Sequence, residues 1–198
     1  MLKFILEIVG TIAFSVSGAI VAIHKKMDVL GVAALGVITA VGGGILRDLL
    51  LGITPPNAFR NPIYALIAIA VALVVFLPFI SRKINLDHIL WVLVDAIGLG
   101  AFTMIGVSTG VSSDNLFLEV FLGVPTGVGG GVIRDICAGE LPMIFVRHFY
   151  ACPCIIGAIL CSLLYPYSAD LAIVSGFAVI IILRLLAAKF KWHLPKAK

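Results

Sequence analysis

Seven apolar runs, each about as long as a bilayer is thick, follow one another along this chain with little between them: residues 4–23, 29–52, 60–80, 89–110, 115–138, 144–165 and 168–188. A helix needs about 20 mainly apolar residues to cross the hydrocarbon core. Inside lipid, every backbone amide and carbonyl must find its partner within the protein. Together these requirements predict an all-α membrane protein of seven transmembrane helices. Charged residues make up only 12% of the 198, against about 25% in soluble domains, so almost no chain is left for an extramembrane domain. The first run follows Lys3 and contains the small residues Ser15, Ser17, Gly18 and Ala19, a pattern shared with signal peptides. Its membership of an internal repeat argues that it is retained.

That repeat is explicit. Glu7-Ile-Val-Gly10 and Ala13-Phe14-Ser15 recur as Asp95-Ala-Ile-Gly98 and Ala101-Phe102-Thr103, with Gly18 answered by Gly106. Further on, Val41-Gly42-Gly43-Gly44-Ile45-Leu46-Arg47-Asp48 recurs as Val128-Gly129-Gly130-Gly131-Val132-Ile133-Arg134-Asp135, and Gly52, Pro55 and Arg60 as Gly139, Pro142 and Arg147. Each copy holds three spans. An odd number makes the second copy enter from the opposite side, so the repeats are predicted to be inverted, a design common among transporters. The resulting organisation is a first repeat over 1–84, a second over 85–166, and a seventh helix with a basic tail over 167–198.

Alternating spans put Lys25, Lys26, Arg82, Lys83, Arg134, Arg147, Arg184, Lys189, Lys191, Lys196 and Lys198 on one side, leaving only Lys3, Arg47 and Arg60 of the fourteen basic residues on the other. The positive-inside rule then sets the N-terminus outside and the C-terminus in the cytoplasm. The basic tail is read as topogenic and lipid-facing charge, so membrane lipids are the expected partners, with neither nucleic acid nor a soluble protein partner. His24, His88 and His148 are read as solvated loop histidines. Cys137, Cys152, Cys154 and Cys161 have no metal-ligand spacing and read as packing residues. With no nucleophile triad, metal cluster or phosphate loop, no enzyme and no cofactor is expected.

The glycine triplets carry the functional reading. Each glycine costs about 1 kcal/mol in a helix, so three in a row predict a break in the second and fifth spans, aided by Pro125 in the fifth. Close helix packing is the competing explanation. Each triplet, however, precedes an Arg-Asp pair, and a charge at mid-membrane costs about 2.5–3.5 kcal/mol. Broken helices would expose carbonyls near Gly42–Gly44 and Gly129–Gly131 as transient monovalent cation sites, and amides favouring Asp48 and Asp135. Depth along the spans suggests two clusters, Glu7 with Arg47 and Asp48, and Asp95 with Arg134 and Asp135. Thr39 and Thr126, beside the breaks, are candidate pathway hydroxyls.

Two Gly-Gly-Gly motifs, each followed by a basic and an acidic residue on the second and fifth of seven spans, resemble the trimeric intracellular cation channel family over nearly the whole chain. Its prokaryotic branch overlaps a group of small membrane proteins to which glycine transport has been attributed. The resemblance implies a homotrimer in a prokaryotic plasma membrane, with one pore per protomer between the repeats, passing potassium and sodium. Animal members carry Lys-Glu-Val where this chain has Arg47-Asp48-Leu49, which weakens any transfer of lipid regulation, although bound lipid is compatible with it. The residues leave open a small amino-acid secondary transporter, in which half-helix amides hold a carboxylate and Glu7 or Asp95 an amine, and a non-conducting scaffold.

Overall fold

The computed structural model describes residues 1–81, 89–146 and 149–192. Arg82, Lys83, His88, Arg147, His148, Lys196 and Lys198, and the boundary expected at 84/85, lie outside them. Among the described residues every regular element is helical: α1 (Leu2–His24), α2 (Val29–Leu50), α3 (Asn57–Arg60), α4 (Ile63–Phe76), α5 (Pro78–Ser81), α6 (Ile89–Gly110), α7 (Leu116–Cys137), α8 (Met143–Val146), α9 (Cys152–Leu164) and α10 (Ala169–Lys189), with a 3-10 turn over Val111–Ser113. Five of these, α1, α2, α6, α7 and α10, are long and apolar enough to cross a membrane. The third and sixth apolar runs fold as the shorter helices α4 and α9. Pro78 starts a new turn after α4, and a loop containing Tyr150 precedes α9.

Starts and stops follow local chemistry. Asp28 and Asn115 cap α2 and α7 by accepting from the Gly31 and Leu118 amides at 2.8 and 3.2 Å, which satisfies otherwise orphaned donors. Both helices end two residues before a glycine in the left-handed region, Gly52 (φ 69°) and Gly139 (φ 70°), a conformation that only glycine adopts without strain.

The expected breaks are absent. The α-helix runs through Gly42–Gly44 in α2 and through Pro125 and Gly129–Gly131 in α7, so the triplet carbonyls lie within continuous helices. Unpaired backbone groups in a membrane core cost several kcal/mol each, more than the glycines lose by staying helical. The triplets serve a close crossing instead. A Cβ on Gly43 would fall on the Thr126 carbonyl and one on Gly130 on the Thr39 carbonyl, each well inside van der Waals contact, while one on Gly42 would meet the Gly130 Cα at 3.6 Å.

Most of these contacts are reciprocal, Gly44 with open space and Gly131 beside the Tyr150 hydroxyl being an exception. A Cβ on Gly10 would meet the Phe102 ring at 3.0 Å, while one on Gly98 would fall on the Phe14 ring. The two rings lie 5.3 Å apart between centroids. Gly18 abuts the Leu35 carbonyl and Gly106 the Leu122 carbonyl, both at 2.6 Å from an added Cβ. Because position 10 meets 102 while 14 meets 98, α1 and α6 run antiparallel. The same holds for α2 and α7, where 43 meets 126 and 39 meets 130. Equivalent residues that exchange partners across antiparallel helices are related by a two-fold axis perpendicular to those helices.

Candidate functional site: an ion-pair cluster at each end of the bundle

Arg134 follows the α7 triplet and is completely buried. Its Nη1 donates to Asp95 Oδ1 at 2.8 Å and to Ser17 Oγ at 2.6 Å, and Ser17 donates onward to the same Asp95 oxygen at 3.2 Å. Its Nε donates to Asp135 Oδ1 at 2.9 Å, and Asp135 Oδ2 accepts the Met143 amide at 2.8 Å. The guanidinium also lies 5.7 Å from the Trp91 ring centroid. A buried charge is tolerable only when it is paired and hydrogen-bonded, and this arginine has both. The expected Asp95–Arg134–Asp135 cluster is therefore present.

At the other end of the bundle Arg47 donates through Nε and Nη2 to Asp48 Oδ1 at 3.0 and 2.8 Å, and Asp48 Oδ2 accepts the Asn57 amide at 2.7 Å. This repeats the geometry of Arg134, Asp135 and Met143. The correspondence fails at Glu7, which was expected to pair with Arg47 and instead accepts a hydrogen bond from the Tyr64 hydroxyl. Sequence register supplies a reason. The position equivalent to Ser17, which bridges Asp95 to Arg134, is Ile105 in the other half, and isoleucine cannot bridge Glu7 to Arg47. Glu7, Arg47, Asp48, Tyr64, Gly44 and Ile105 line a small open cavity, and the Arg47 side chain keeps 12% of its exposure.

A larger cavity opens at the opposite end, lined by His24, Lys25, Trp91, Asp135, Glu140 and Met143 among others. Along α1, Glu7 and Val21 mark the two cavities, about 21 Å apart at about 1.5 Å per residue. Between them lie Phe14, buried on α1, and Phe102 on α6, with Thr39 and Thr126 buried at the crossing. Both threonine hydroxyls donate to carbonyls of their own helix, Leu35 and Leu122, as membrane-embedded threonines commonly do.

Some participants were not read from the sequence. Arg184 is read from the sequence only as a topogenic charge; it is buried on α10 and approaches Asp95 at 3.9 Å. A lone arginine inside the apolar run 168–188 was the available signal. Tyr64, Tyr150, Asn57 and Met143 gave none, since a tyrosine or an amide near a span end is common. Among the described residues no group of histidines, cysteines and acids could hold a metal ion, and the four cysteines are unpaired.

The apolar helices, the perpendicular two-fold and the buried ion pairs define a polytopic α-helical membrane protein built from two related halves. The family model described as "Glycine transporter" matches residues 4–79 and 92–166. The inner membrane protein YadS of Escherichia coli is 37% identical over 98% of this chain and 94% of its own length. A solved structure from work on conductance through TRIC cation channels superposes with a TM-score of 0.88 at 42% identity, covering 100% of this chain and 98% of that one. The trimeric intracellular cation channel orthologue of Rhodobacter sphaeroides gives 0.89 at 32%, covering 96% and 98%. The chain belongs to this family, the prokaryotic branch of the trimeric intracellular cation channels, which overlaps the glycine-transporter family.

Proposed function

We propose that the protein is a channel for monovalent cations, potassium and sodium, in a prokaryotic inner membrane. The path runs within each protomer between the two three-helix repeats, 1–84 and 85–166, with 167–198 as the seventh helix. The observation that carries this reading is the pair of cavities at opposite ends of the bundle, the first of which reaches Ala40, Val41 and Gly44 beside the crossing of α2 and α7. The first mouth holds two acids, Glu7 and Asp48, against one arginine, Arg47, and this net negative charge favours cations. The path is shut at Phe14, Phe102, Thr39 and Thr126, where Gly42–Gly44 and Gly129–Gly131 hold the helices together. Opening therefore requires α2 and α7 to separate at their glycines, with Asp95, Arg134 and Asp135 rearranging at the second mouth.

Three protomers assemble as a homotrimer, by analogy with the trimeric relatives. Seven crossings result when α4 and α9 are completed by their flanking short helices and loops. The basic side, with Lys25, Lys26 and Lys189, then faces the cytoplasm and Glu7 the outside. Exposed apolar side chains such as Leu66, Phe79, Phe117 and Leu171 contact lipid. The activity needs no cofactor.

The family description and the Glu7 mouth together favour one second reading. A carboxylate and a guanidinium around one small cavity match the two charges of a small amino acid, so a glycine-like transporter is the alternative. Proteoliposomes loaded with potassium separate the two. Fast, non-saturating potassium efflux that ignores added glycine supports the channel, whereas saturable uptake of labelled glycine without potassium leak would replace it.

A further inference from the structure

The two-fold relates α1 to α6 and α2 to α7, but α10 has no counterpart in the first half. It nevertheless delivers a charge to the second cluster. Arg184 is 5% exposed, its Nη2 lies 3.9 Å from Asp95 Oδ2, and its guanidinium carbon sits 4.5 Å over the Tyr150 ring. Asp95 is thus divided between two cations. Oδ1 is taken by Arg134 and Ser17, while Oδ2 faces Arg184 without a hydrogen bond. The Arg184 Nε is likewise buried without a hydrogen-bond partner, and the buried Tyr150 hydroxyl faces Asp95 as well. A guanidinium at this distance acts on Asp95 through its field more than through a strut of hydrogen bonds.

The consequence is an imbalance between the two mouths. In the second cluster two arginines, Arg134 and Arg184, balance two aspartates, Asp95 and Asp135. In the first, one arginine faces two acids, and among the described residues no second buried arginine joins it. The surface pair Lys25 and Glu140 near the second mouth is itself neutral.

We propose that Arg184 is a specificity-determining residue of the ion path: it neutralises the second cluster, leaves the Glu7 mouth as the cation-attracting one, and makes the current rectify. This rests on the channel reading above. Cations arriving at the Glu7 mouth meet a cluster of net negative charge, and those arriving at the Asp95 mouth meet a cluster that is neutral among the described buried groups. Current carried from the Glu7 side is therefore the larger. Removing the Arg184 charge leaves both mouths negative and nearly equal. In an effective dielectric of about 20, a unit charge acting over about 10 Å changes passage by about tenfold before screening.

The test is bilayer recording in symmetric KCl with oriented insertion, comparing wild type, Arg184→Gln, Arg184→Lys and Asp95→Asn. The expected result is a rectifying wild type and an Arg184→Gln variant close to ohmic, its current from the Asp95 side raised up to about tenfold. Arg184→Lys keeps the wild-type ratio because it keeps the charge. Asp95→Asn shifts the balance the other way and steepens rectification, which keeps the proposal testable if Arg184→Gln does not fold. A conducting wild type whose rectification is unchanged by Arg184→Gln, or relaxed by Asp95→Asn, overturns the proposal and leaves the channel reading intact. A wild type that carries no current in bilayers or liposomes overturns the channel reading and this proposal with it.

Discussion

Alanine substitutions within a single glycine triplet should have opposite effects one residue apart. A Cβ on Gly43 would land on the Thr126 carbonyl, whereas one on Gly44 meets nothing within 4 Å. For Gly44→Ala only helix propensity changes, a gain of up to about 1 kcal/mol. For Gly43→Ala the α2–α7 crossing must widen against close-packed backbone, and overpacking of this kind costs about 1–3 kcal/mol. At roughly 2–4 °C per kcal/mol for a domain of this size, Gly43→Ala should melt roughly 2–12 °C below wild type in detergent. Gly44→Ala should melt at or slightly above it. The two-fold requires Gly130→Ala to behave like Gly43→Ala, since its Cβ would fall on the Thr39 carbonyl. The double variant should cost less than the sum, because both substitutions open one crossing. Thermal unfolding followed by tryptophan fluorescence or aggregation reads all four. Gly43→Ala as stable as Gly44→Ala would refute the close crossing.

Asp95→Asn leaves the fully buried Arg134 with Asp135 as its only anionic partner and should cost about 3 kcal/mol, near the low end for breaking a buried pair, measured as a fall in melting temperature. Lys25→Ala breaks an ion pair whose side chains keep 37% and 56% of their exposure and should change stability by at most about 1 kcal/mol; a larger loss would show that this pair anchors the end of the bundle. Ile105→Ser restores the bridging hydroxyl that the second cluster has in Ser17. It should draw Arg47 toward Glu7 and slow potassium efflux from liposomes, with unchanged efflux counting against a shared design of the two clusters.

The repeat and the pairing of Asp95, Arg134 and Asp135 were legible in the sequence because they rest on exact spacing, which a helix converts directly into a shared face and depth. The helix break was not. Three glycines lower helix propensity equally whether the chain breaks or packs, and only the neighbour decides. Here the neighbour is an identical glycine surface on the other half, and satisfying the backbone in lipid outweighs the propensity lost. The Glu7 pairing failed on one hydroxyl, Ser17, that the first half replaces with Ile105. Arg184 was misplaced because a basic residue near a span end usually serves topology, and nothing in its own helix indicates that α10 packs against α6 beside Asp95.

The most direct measurement of the central claim is the reversal potential of the purified protein in planar bilayers under asymmetric KCl. Discrete steps reversing near the potassium equilibrium potential are expected from a cation path between the repeats. Absence of current, or reversal near the chloride potential, together with saturable glycine uptake by the same preparation, would contradict it.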